Sequence, residues 1–100
     1  ALFEDLVTFP AASQDLAVVL YADLPADRVL DVVRRAGGKL LREASVFDVY
    51  EGDQVPPGKR SLALRLVMRS PERTLTDKDI TGLRQKVLAA LAREFAATLR

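Results

Sequence analysis

The chain contains no cysteine, no histidine, no tryptophan and no asparagine. Without cysteine there is no disulfide frame, thiol nucleophile, iron–sulfur cluster or structural zinc site of the usual kind. Without histidine the commonest general base and the commonest metal ligand are both missing, and a serine–histidine nucleophile is excluded. Any chemistry would rest on carboxylates, Lys, Tyr or Arg, so the expectation moves from an enzyme toward a binding module. No catalytic residue, metal site or resident cofactor is expected. No apolar run approaches the roughly 20 residues that cross a bilayer, so no membrane partner is expected either. The basic start and apolar core of a secretory signal are also missing. The chain opens at Ala1 rather than at a Met, as expected of a segment of a longer protein or, alternatively, of removal of the initiator Met, and the missing Cys fits a cytoplasmic origin.

What is present is a chain of 100 residues, 49% apolar and 29% charged, the balance of one soluble globular domain. Net charge is only +1, but it is unevenly distributed. Residues 1–58 carry ten acids and five bases, whereas residues 59–100 carry four acids and ten bases. That swing from −5 to +6 points to a basic surface for an anionic partner.

Hydropathy periods give the elements. Residues 1–14 read as an irregular lead-in, with Phe9-Pro10 against the domain edge. Asp15 to Ala22 (DLAVVLYA) is an apolar, β-branched run of strand length. Pro25 opens a helical pattern over Ala26 to Ala36, with Val29, Leu30, Val33 and Ala36 on one face and Gly37-Gly38 at its end. Ala44 to Glu51 alternates, which sends Val46, Asp48 and Tyr50 one way and Phe47 and Val49 the other. The Pro- and Gly-rich Gly52 to Lys59 connects to Arg60–Ser70, where Leu62, Leu64, Leu66 and Met68 mark one face. Thr76 and Asp79 form a capping-box pattern before a helix to about Arg93, with Ile80, Leu83, Val87 and Leu91 as its apolar stripe. Glu94 to Arg100 can continue the helix or form a short final strand, and the alternation of Phe95, Ala97 and Leu99 with β-branched Thr98 favours the strand.

The order β-α-β-β-α-β predicts an α+β, ferredoxin-like sandwich over residues 15–100. Four antiparallel strands carry two helices on one face, and the other face is open. Strands one and three are central, and strand two is an edge. Asp15, Ala17, Val19 and Tyr21 then look outward, and Asp48 and Tyr50 lie next to Ser61. Such a surface suits unpaired RNA bases, which proteins stack on aromatic rings and read by hydrogen bonds. Tyr50 can stack a base, Asp48 can accept from a guanine edge or an exocyclic amine, and Ser61 can donate or accept. Lys59, Arg60, Arg65, Arg69 and Arg73 are the candidate phosphate contacts.

Each feature has a plainer reading. Tyr is favoured in strands by propensity, Asp48 can guard an edge strand, and Arg73 can pair locally with Asp77 and Asp79. Other uses of the fold fit less well. A metal-carrying chaperone needs a Cys pair, an acylphosphatase-type site needs an Asn, and an RNA-recognition motif carries aromatics on its central strands. A regulatory or protein–protein module stays open on the residues alone.

Several stretches together carry a resemblance: FPAASQDLAVVL (Phe9–Leu20), VFDVYEG (Val46–Gly52), VPPGKRSLALRL (Val55–Leu66), RSPERTLTDKDI (Arg69–Ile80) and EFAATLR (Glu94–Arg100). The chain resembles the ferredoxin-fold anticodon-binding domain at the C-terminus of bacterial phenylalanine–tRNA ligase β subunits. The resemblance implies binding to the anticodon stem-loop of the phenylalanine tRNA, beside the rest of a β subunit and an α subunit. It also implies that ATP and magnesium serve the parent enzyme elsewhere. On this likeness Tyr50 stacks on the first anticodon base, Asp48 and Ser61 read its edge, and Ala17 permits close approach. Two positions depart from the family pattern: Gln14 where Arg is common, and Ala96 where Gly is common. If that Gly takes a positive φ, Ala96 is expected to turn differently.

Overall fold

A computed structural model describes residues 8–100. Seven of the fourteen residues read as a lead-in lie outside that span. Of the others, Phe9 is half-buried and Pro10 exposed, and the first strand already begins at Ala12. The elements run β1 (Ala12–Tyr21), α1 (Ala26–Gly37), a 3₁₀ turn (Gly38–Leu40), β2 (Leu41–Tyr50), β3 (Lys59–Met68), α2 (Asp77–Phe95) and β4 (Thr98–Leu99). The strands form one antiparallel sheet in the order β2-β3-β1-β4, as the ferredoxin-like arrangement requires.

The core lies between the sheet and the helices. Leu16, Val18 and Leu20 of β1 and Leu62, Leu64, Leu66 and Met68 of β3 face the helices and are buried. They pack with Val29, Val32 and Val33 of α1 and with Leu83, Val87, Ala90 and Leu91 of α2. Val32 takes a place in the α1 face that periodicity gave to Leu30 and Ala36, which pack at its margin.

Two details differ from the sequence reading. First, β2 does not alternate cleanly, because its register slips between Leu41 and Glu43 and again between Val46 and Asp48. Val46 stands opposite Leu64 and packs on the core, whereas Asp48 stands opposite Ala63. The extra residue, Phe47, joins Asp48 on the open face, as a β-bulge directs. Second, α2 runs on through Phe95, so the final strand shrinks to Thr98–Leu99. Nothing before residue 96 breaks a helix. Ala96 ends it in the left-handed region, at φ 55° and ψ 30°. The Ala96 N–H donates to Ala92 and the Ala97 N–H to Leu91, which satisfies the last helical carbonyls. Ala96 therefore makes the positive-φ turn itself.

Candidate nucleic-acid interface

Cross-strand register assigns the open face rung by rung. One rung carries Tyr50, Ser61, Val19 and Thr98 from β2, β3, β1 and β4. The next carries Asp48, Ala63 and Ala17, and the Arg100 N–H donates to the Ala17 carbonyl at its far edge. The third carries Ser45, Arg65 and Asp15. The two alanines make a low floor between the taller side chains of the flanking rungs. Ala17 was legible as a small residue, but Ala63 as its partner required the register.

Tyr50 and Ser61 are direct cross-strand neighbours, and Asp48 is one rung away on the same face. Their settings differ from expectation. Ser61 is only 2% exposed and Val19 only 8%, although both belong to the open face. Tyr50 is half-buried, while Tyr21 (56%) and Phe47 (48%) are the exposed aromatics. One side chain of the protein itself lies on the Tyr50 end of that face. Arg100 follows β4, and its guanidinium sits 4.5 Å from the centroid of the Tyr50 ring. Its Nη2 donates to Gln54 Oε1 at 3.0 Å. Arg100 stands beside Ala17 at the edge of β1, and its guanidinium reaches the Tyr50 ring on the neighbouring rung of the open face. Asp48 is exposed, and its Oδ1 accepts from the Val49 N–H at 3.0 Å, which leaves its other oxygen directed to solvent chemistry.

The ring is also fixed from the hairpin side. A β-carbon added at Gly52 would stand 2.5 Å from the Tyr50 hydroxyl oxygen and 2.8 Å from Cζ. The phenol therefore lies against bare backbone. Farther along, the hairpin closes with Pro57 and Gly58 as the central pair of a turn, with the Lys59 N–H donating to Pro56. Gly58 holds φ 80°, a conformation that favours glycine at that place.

The five candidate phosphate contacts scatter. Lys59 stays on the open face, its ammonium 5.0 Å from the Tyr21 ring centroid. Arg65 is on the open face but occupied. Its fork donates to both Asp15 oxygens, at 2.9 and 3.0 Å, and its guanidinium lies 4.4 Å from the Phe47 centroid. That bidentate contact holds the Asp15 carboxyl below its ordinary value and raises Arg65. Arg69 is exposed just past β3, near Arg42 and Val67. The other two are not on the open face. Arg60 pairs with Leu20, hence points to the helix side, where its Nη2 donates to the Leu24 carbonyl at 2.8 Å. Arg73 grips both oxygens of Asp79 at the start of α2. Asp79 also accepts from the Thr76 N–H and donates its own N–H to Thr76 Oγ1, which completes the capping box. The Arg73 contact, then the Thr76 N–H, push the Asp79 carboxyl well below the usual carboxylate range.

Sequence reasoning missed Phe47, Ala63, Gly52, Gln54 and Arg100. Arg100 continues the alternation of Thr98 and Leu99 onto the open face, a signal already present in the period of Phe95, Ala97 and Leu99. Among the described residues, no helix is long and apolar enough to cross a membrane.

The model of the ferredoxin-fold anticodon binding domain matches residues 7–100. The chain is 50% identical over 92 residues to the phenylalanine–tRNA ligase β subunit of a Synechococcus species, which covers 92% of the chain and 11% of that subunit. It is 48% identical over 98 residues to that of Moorella thermoacetica, covering 98% of the chain and 12% of the relative. With the Geobacillus kaustophilus subunit the identity is 40% over 98 residues, again 98% and 12%. The chain spans about a tenth of the length of the curated relatives it matches.

Proposed function

The chain belongs to the ferredoxin-fold anticodon binding domain family, and from that premise we propose that it binds the anticodon arm of the phenylalanine tRNA as part of a phenylalanine–tRNA ligase β subunit. The single observation that carries this reading is the open sheet face, where Tyr50 and Asp48 flank a floor of Ala17 and Ala63. A base resting on that floor can stack on the phenol while the Asp48 carboxylate accepts from its edge. An ionised carboxylate only accepts, which favours the N1–H and N2–H of guanine. Ser61, on the Tyr50 rung, supplies a hydroxyl once the face is uncovered. Lys59 and Arg69 are the cations of the original five that remain available to phosphates, with Arg42 beside Arg69. Arg60 and Arg73 serve the fold, and Arg65 is paired with Asp15 on the rung beside the alanine floor. Partners are the rest of the β subunit and the α subunit, in the cytoplasm. Phenylalanine activation, with its ATP and magnesium, belongs to the parent enzyme outside these residues.

Tyr50→Ala and Asp48→Asn in the full enzyme test this. Loss of one stacked base weakens binding by about 1–3 kcal/mol, or roughly 5- to 150-fold. Each variant is expected to weaken cognate tRNA binding, Tyr50→Ala within that range, and to leave phenylalanine-dependent ATP turnover unchanged. A fall in amino-acid activation with intact tRNA affinity overturns the reading and returns the open face to the protein–protein alternative.

A further inference from the structure

Resting on the RNA-binding reading, the place of Arg100 leads one step further. A guanidinium carbon 4.5 Å from the ring centroid leaves no layer between the two groups. A nucleobase cannot enter that gap while the arginine stays. Three fixed points hold the arginine: its N–H on the Ala17 carbonyl at 2.9 Å, its Nη2 on Gln54 at 3.0 Å, and its stack on Tyr50. On the same rung as Tyr50, Ser61 and Val19 are nearly sealed although they belong to the open face. A planar cation on an aromatic face has the shape and stacking character of a base. The two side-chain contacts are replaceable, because Gln54 is exposed in the hairpin and cation–π pairs at exposed sites are weak.

We propose that Arg100 holds the place of an unpaired base on Tyr50, and that RNA binds by exchange. The incoming base takes the ring, and the released guanidinium leaves Gln54 for a phosphate of the same loop. Arg100 is therefore both the resident occupant of the Tyr50 ring and, after the exchange, a contact to the RNA backbone.

The test uses the 100-residue chain and an anticodon stem-loop of the phenylalanine tRNA, followed by NMR and by titration at stepped KCl. In the chain without RNA, the Arg100 Nε–H resonance carries a ring-current shift that Tyr50→Leu abolishes. The stem-loop is expected to remove that shift, and a stem-loop abasic at its first anticodon position to bind more weakly and leave it in place. Arg100→Ala is expected to reduce the slope of log affinity against log salt by about 0.7, one phosphate contact on a single strand. At high salt, where that contact counts for little, the variant binds about two- to fivefold tighter, the value of an exposed cation–π competitor. The two salt curves therefore cross. Gln54→Ala, which loosens the cover without touching β4, is expected to bind tighter at every salt with an unchanged slope. The proposal is overturned if the ring-current shift survives binding of the intact stem-loop. It is equally overturned if Arg100→Ala weakens binding by one factor at all salt concentrations, or changes neither affinity nor slope. Failure of the unaltered chain to bind the stem-loop even at low salt removes the RNA reading itself, and the exchange with it.

Discussion

Gly52 shows how a residue with no side chain can govern one that has a functional side chain. Its φ is not in the positive region that demands glycine, so backbone strain does not account for it. What accounts for it is the Tyr50 phenol, which occupies the space of the missing β-carbon. A tyrosine ring is a rigid plate, and an obstruction at Oη and Cζ moves the whole ring rather than its tip. Gly52→Ala is therefore expected to displace the ring from the Arg100 guanidinium and from any base. Stem-loop affinity should fall toward that of Tyr50→Ala, within the roughly 5- to 150-fold range of a lost stacked base. Thermal stability should hold or fall slightly, because the displaced ring loses its Arg100 contact, which offsets the freedom alanine removes from the unfolded chain. Loss of stability with intact affinity, measured by melting and titration of the same sample, would contradict this role for Gly52.

Among the elements, α2 has the most clearly defined ends. At its start, the Thr76–Asp79 box was legible because capping depends on residues three apart in sequence, a local rule. Its acid sensitivity follows from the depressed Asp79 carboxyl. A group whose folded value lies below its unfolded value stabilises fully above the unfolded value, near 3.8 here. That contribution is lost as pH falls below about 3.8 toward the folded value. Asp15 acts in the same direction. Asp79→Asn should lower the melting temperature at neutral pH and flatten its decline below pH 4, as scanning calorimetry across that window can check. At the other end, Ala96 sits at φ 55° with a β-carbon that the left-handed region disfavours. Ala96→Gly should stabilise the chain by about 0.5–1 kcal/mol. That corresponds to a rise of roughly 2–8 °C in melting temperature for a domain of this size. The strands divide along the same line between local and distant causes. β3 was legible in its facing, since Leu62, Leu64, Leu66 and Met68 alternate over a buried face, although it runs over Lys59–Met68 rather than Arg60–Ser70. β2 was legible as a strand but not in its facing. Its two bulges are set by pairing with β3, and nothing within Val46-Phe47-Asp48 announces which residue is the extra one. Hence Asp48 and Tyr50 were found, while Phe47 was assigned to the wrong side.

For the whole molecule, the ten bases of residues 59–100 overstate the charge available to a polyanion. A count along the sequence treats every guanidinium as free, yet folding commits several of them. Arg60 serves the Leu24 carbonyl, Arg65 serves Asp15, and Arg73 serves Asp79. The candidate site was thus half legible: side-chain chemistry was readable in strand order, but which charges cancel depends on contacts between distant elements. Salt dependence measures the difference. If all five original candidates met phosphates, the slope of log affinity against log salt would approach about −3.5 on a single strand. With Lys59, Arg69 and Arg100 as the contacts, it should lie near −2. Single substitutions separate the classes. Arg69→Gln should reduce the slope by about 0.7 and leave melting unchanged, since its guanidinium is exposed beyond β3. Arg73→Gln should leave the slope unchanged and lower the melting temperature, because it strips Asp79 of its partner at the α2 cap. Equal loss of slope in both variants would mean that Arg73 abandons its cap for the RNA backbone, and that the fold does not sort its cations as its contacts indicate.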